Sequence, residues 1–132
     1  MTGRKGSGQA AGPSQRQLRV AEEVRHALAA VFTRAEFRDP ALADQRITVT
    51  EVRASPDLRH MTAFVSNLGQ AVTADQLAAL HRAEPYIRGL VARAVRLKFA
   101  PEMHFRPDTA LEQAQRLNAL LNSPAVKRDL GG

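Results

Sequence analysis

Apolar positions divide the chain into helical and alternating stretches. Val20, Val24, Leu28, Val31 and Phe32 recur at steps of three and four, one stripe of a helix. Ser14 and Gln17 have the spacing of a capping box, and Arg38-Asp39-Pro40 breaks the pattern, so a helix is predicted from Ser14 to about Ala35. Ile47-Thr48-Val49-Thr50 then alternates as a strand does, and Glu51-Val52 breaks the phase, which predicts a bulge or the strand's end. Ala54-Ser55-Pro56-Asp57 is turn chemistry. Met61, Ala63 and Val65 form a second alternating set, closed by Asn67-Leu68-Gly69, and the short connection predicts an antiparallel pair. A helical stretch begins near Thr73, with Leu77 and Leu80 inward. Proline biases the residue before it away from the helical region, so this helix is predicted to stop at or before Glu84 and a second to start at Pro85. That second helix is predicted to reach about Lys98, with Ile87, Leu90, Val91, Ala94 and Leu97 inward and Arg88, Arg93 and Arg96 on the opposite arc. Met103 and Phe105 alternate with His104 and Arg106 as a third strand, and residues 108–121 read as a weaker helix. The prediction is an α+β fold in which a three-stranded sheet packs against helices. It divides into a flexible basic tail (1–14), one folded domain (15–107) and a helical or flexible C-terminal tail (108–132).

Composition narrows the function classes. A chain of 132 residues with 44% hydrophobic and 24% charged residues is one ordinary globular domain. Cysteine is absent, which excludes disulfides and thiol chemistry. The longest apolar run, Ala27 to Phe32, is far shorter than the roughly 18 residues a membrane span needs, and no apolar stretch follows the N-terminal cations, so a cytoplasmic protein with no membrane contact is expected. Lys and Arg total 19 against 13 Asp and Glu, and just three of the cations are lysines (Lys5, Lys98, Lys127). Arginine's planar fork suits phosphates and its flat face stacks on bases, so the balance points to nucleic acid.

Catalytic signatures are missing: there is no G-x-S-x-G, phosphate-binding loop or dinucleotide fingerprint. The four histidines, His26, His60, His81 and His104, fall on different elements, so no metal site, cofactor or small-molecule substrate is predicted, and the protein is not expected to be an enzyme. Glu22 and Glu23 read as a solvated patch beside Arg19 and Arg25. The most informative segment runs from His81 to Lys98 and holds five Lys or Arg against one acid. A helix starting at Pro85 would offer unpaired amides to a phosphate. Arg82, Ala83, Glu84, Pro85, Arg88, Arg93, Arg96 and Lys98 are therefore the predicted RNA-binding set. An ordinary solvated arginine face would show the same pattern. Asp57 is expected to hold the hairpin turn by accepting from backbone amides, with Arg59 and His60 beside it as a further candidate contact.

Three stretches carry a family resemblance: Arg19-Val20-Ala21-Glu22-Glu23-Val24-Arg25; Thr48-Val49-Thr50-Glu51-Val52 with Ser55-Pro56-Asp57-Leu58-Arg59-His60; and Tyr86-Ile87-Arg88 with Val95-Arg96-Leu97-Lys98 and Pro101-Glu102-Met103. In this order and spacing, over residues 16–121, the chain resembles bacterial ribosome-binding factor A. The resemblance implies a type II KH-like domain, α-β-β-α-kink-α-β. It further implies a monomer that binds the small (30S) ribosomal subunit and its 16S rRNA, supports late maturation including 5′-end processing, and serves cold adaptation. It makes a ribosome contact at Asp57, Arg59 and His60 an expectation as well. The family has an Ala-x-Gly kink between its helices; this chain has Ala83-Glu84-Pro85, with proline in the glycine's place. Two other readings fit the residues. One is a protein-interaction module docking on a ribosomal protein or assembly GTPase, with charge used for steering. The other is a nuclease built on Glu51, Asp57 and His60.

Overall fold

Helix α1, Gln15–Arg34, begins at the capping box that its sequence announces: Ser14 Oγ accepts from the Gln17 amide at 3.1 Å and Gln17 Oε1 accepts from the Ser14 amide at 2.8 Å. In this computed structural model, which describes residues 12–43 and 46–122, the inner stripe of α1 is Val20, Ala21, Val24, Ala27, Leu28 and Val31. Most of the expected N-terminal tail and the last ten residues lie outside the described residues. The Gln17 side chain also donates to the Ala54 carbonyl at 3.1 Å, tying the helix start to the end of the first strand. Glu22 pairs with Arg25 and with His26 on the exposed side.

Strands β1 (Ile47–Ala54) and β2 (His60–Asn67) are antiparallel, and β3 (Glu102–Pro107) adds parallel to β2, in the order β1-β2-β3. The phase break at Glu51-Val52 is a bulge: the register shifts between Val49 and Glu51, which lets Ile47, Val49 and Val52 all point inward. Met61, Ala63 and Val65 fill the middle of the core, completed by Met103 and Phe105. The other side of the sheet carries His60, Thr62 and Phe64 from β2 and Glu102, His104 and Arg106 from β3.

Helix α2 corrects the sequence reading. It runs unbroken over Ala74–Ala94 with Pro85 inside it, so no helix ends at Glu84 and none begins at Pro85. Its N-terminus is capped by the Thr73 and Gln76 pair at 3.0 and 2.9 Å. At the other end it is capped at Val95, short of the predicted end near Lys98. Proline is tolerated because residue 85 is exposed and the missing amide deprives a single carbonyl, that of His81, on an exposed turn. Ile87 and Val91, fully buried just beyond it, hold the helix to the sheet, each contributing roughly 2 kcal/mol. Pro85→Ala should therefore restore the missing bond without changing the path of the chain. We expect the melting temperature to rise by a few degrees, measured by thermal unfolding; a fall would mean that the proline is required by the packing.

Helix α3, Thr109–Leu121, follows β3, and its Gln115 side chain donates to the Gly69 carbonyl at 3.2 Å. Among the described residues no helix is long and apolar enough to cross a membrane.

Candidate nucleic-acid interface

The predicted RNA-binding set does not form one groove. Because α2 is continuous, the amides after Pro85 belong to the helix ladder and no anion-binding helix start exists there. The residues around the proline instead turn to two different neighbours.

One neighbour is the loop after α1. Arg82 donates to Asp39 Oδ2 through Nη2 at 2.7 Å and Nε at 3.1 Å. The guanidinium, helped by the Ala41 amide, holds the Asp39 carboxyl below its ordinary value. Ala83 and Tyr86 line a hollow with Phe32 and Phe37, where Phe37 stacks on Phe32 and meets the Tyr86 ring edge-on, both at 5.9 Å. Arg82 and Ala83 thus help to hold the 35–43 segment to the helix.

The other neighbour is β3. Glu84 is buried at 8% exposure and accepts from the Met103 amide at 2.8 Å, while Arg88 grips the same carboxylate at 2.6 and 2.9 Å. Burial pushes this carboxyl up. The Arg88 guanidinium and Met103 amide, with the charges of Arg88 and His104, outweigh that push and leave it below its ordinary value. Glu84 joins helix to sheet and is turned away from any exterior phosphate.

The remaining cations gather where α2 ends. Arg93, in its last turn, and Arg96 and Lys98, in the irregular segment after it, are exposed and make no ion pair among the described residues. This segment meets the hairpin turn, which the sequence alone presents as a separate contact. The Glu102 amide donates to the Arg59 carbonyl at 2.8 Å. The Arg59 guanidinium lies 4.1 Å from the centre of the Phe99 ring, and Lys98 Nζ lies 5.5 Å from it. Phe99 is 46% exposed, so an aromatic ring stands at the surface with two cations over it.

The hairpin places Arg59. Asp57 Oδ1 accepts from the Arg59 amide at 3.0 Å and the Ser55 hydroxyl at 2.7 Å, and those bonds hold its carboxyl below the ordinary value. Leu58 takes a left-handed φ of 63°, a conformation uncommon for leucine, with its side chain buried beneath the turn. The amide bonding expected of Asp57 is therefore present. Glu51 pairs with Arg53 at 2.8 Å. Its side chain is not brought to Asp57 and His60 by any bond of the described residues.

Sequence reasoning missed three features here. Phe99 is a lone aromatic in an irregular segment and has no periodic signal. Arg53 covers Phe64 at 4.9 Å on the open side of the sheet. The histidines do not all stand apart: His60 and His104 are 3.1 Å apart across β2 and β3, with Glu102 beside them.

Comparison with known proteins adds a family. The model of the family described as ribosome-binding factor A matches residues 16–121. A relative of that description in Paramagnetospirillum magneticum is 52% identical over 118 residues, 89% of this chain and 83% of its own length. The crystal structure of ribosome-binding factor A from Thermus thermophilus superposes with a TM-score of 0.57 at 27% identity, covering 69% of this chain and 94% of that one. A homology model of the Thermus thermophilus factor, fitted into the cryo-EM map of its 30S complex, superposes with a TM-score of 0.56 at 26% identity, covering 70% of this chain and 96% of that one.

Proposed function

The chain belongs to the ribosome-binding factor A family, and from that premise we propose that it binds the small ribosomal subunit through the end of the molecule where Arg59, Lys98 and Phe99 meet. The observation that carries this reading is the exposed Phe99 ring with Arg59 and Lys98 over it, and Arg93 and Arg96 in the chain leading to it. The exposed part of the ring and the flat guanidinium over it offer a stacking surface to an unpaired base, and Lys98 with the neighbouring arginines takes the phosphates. The protein acts in the cytoplasm as a monomeric assembly factor, supporting late maturation and 5′-end processing of 16S rRNA without catalysis of its own. Cleavage is left to other enzymes.

Two measurements test the reading. The protein should co-sediment with free small subunits in preference to joined ribosomes. Its affinity should fall with salt along a log–log slope near −3, roughly the value for about four neutralised phosphates on single-stranded RNA. A slope near zero would favour a protein contact, with charge used for steering.

A further inference from the structure

We propose that His60, Glu102 and His104 bind one divalent transition-metal ion of the zinc class. His60 opens β2 and Glu102 opens β3, and the parallel register sets His60 opposite Glu102 and Thr62 opposite His104. All three side chains stand on the open side of the sheet, about half exposed. His60 Nδ1 lies 3.1 Å from Glu102 Oε1 and 3.1 Å from His104 Nε2, and His104 Nε2 lies 3.5 Å from the same Oε1. Three donor atoms thus form a nearly equilateral triangle.

Two ring nitrogens facing each other at 3.1 Å require something between them, either a proton or a metal. The triangle has the right size for a metal. Zinc bonds of about 2.0–2.1 Å at tetrahedral angles put ligand atoms about 3.3–3.4 Å apart. Two imidazoles and one carboxylate are a borderline donor set, which selects zinc, cobalt, nickel or copper over magnesium and calcium, whose shells are built of oxygen. The ligands come from two hydrogen-bonded strands, so binding orders side chains and leaves the backbone where it is. Three protein ligands leave the fourth position to water or to an incoming oxygen ligand.

The test is calorimetric titration of the full chain with zinc chloride at about pH 7.5, since metal ligands bind in their deprotonated form. One equivalent should bind with a micromolar dissociation constant and raise the melting temperature, and magnesium chloride should do neither. The His60→Gln/His104→Gln variant, whose metal-free melting should stay within about 2 °C of the parent, should bind zinc at least about tenfold more weakly and lose the thermal shift. Glu102→Gln should weaken binding in the same direction. His26→Gln, at the separate Glu22 pair, should leave it unchanged. If the double variant does not fold, zinc-induced shifts of the His60 and His104 ring resonances in the parent protein decide the matter. The proposal is overturned by no binding at micromolar zinc, by undiminished binding in the double variant, or by unshifted His60 and His104 rings. None of these outcomes depends on whether the protein binds the ribosome.

Discussion

Reversing the charge of Arg59 and Lys98 together should lower affinity for the small subunit by at least about 100-fold and leave the fold intact. Both cations flank the exposed Phe99 ring, so each reversal removes one attraction to the RNA and adds one repulsion. Exposed positions of this kind seldom move stability far, and the double variant should melt within about 2 °C of the parent. Adding Arg93→Glu and Arg96→Glu should deepen the loss. Arg82→Glu is the informative contrast, because Arg82 is engaged with Asp39 in the loop after α1. It should disturb the 35–43 segment and change subunit affinity less than about threefold. Affinity measured by filter binding or sedimentation at fixed salt separates these cases. Equal losses for Arg82→Glu and the Arg59/Lys98 pair would return the interface to the proline region.

The largest effect on stability should come from Glu84→Ala. That change leaves the buried Met103 amide without its acceptor and Arg88 without its partner. An orphaned buried donor and a broken, partly buried pair cost about 2–3 kcal/mol, roughly 10 °C in a domain of this size. Glu84→Gln keeps a carbonyl acceptor for the amide and should lose about half as much. The sign of the pH dependence follows from the depressed carboxyl. Its contribution is complete above the ordinary value of 4.5 and is lost as the pH falls through the lower folded value. The parent protein should therefore destabilise on acidification below that point, and Glu84→Gln should show a shallower decline. Parallel curves for the two proteins would show that the carboxylate charge is not what joins α2 to β3.

Most of the fold could be read from local patterns, because its determinants are local. The α1 stripe, the Ser14 capping box, the bulge at Glu51 and the alternation in β2 and β3 each depend on residues within a few positions of one another. Pro85 does not end the helix, because the rule for residues before proline describes a backbone without tertiary support. Here Ile87 and Val91 are buried on one side while the proline faces solvent on the other, and the helix continues. The same rule places an anion site at Pro85 that the continuous helix does not have.

The proposed surface is harder to read for a different reason. In the sequence Arg59, His60 and Asp57 stand in one segment and Lys98 in another. What unites them is the parallel pairing of β2 with β3, which brings residue 60 beside residue 102. No local spacing encodes that contact. Glu84 shows the converse: within a cationic segment it reads as one more surface charge, and its burial depends on a strand nineteen residues away.

The most direct test of the interface places a photo-crosslinker in the ring that defines it. The photoreactive p-benzoylphenylalanine at position 99 keeps an aromatic side chain at the surface, and the same residue at position 86 replaces Tyr86, exposed to a similar extent at 49% against 46%. Irradiation of each variant bound to small subunits, followed by mapping of crosslinked RNA, compares the two faces directly. The expected result is a strong crosslink to rRNA from position 99 and little or none from position 86. Crosslinking from position 86 with none from position 99 would contradict the assignment and place the RNA against the hollow beside Phe37.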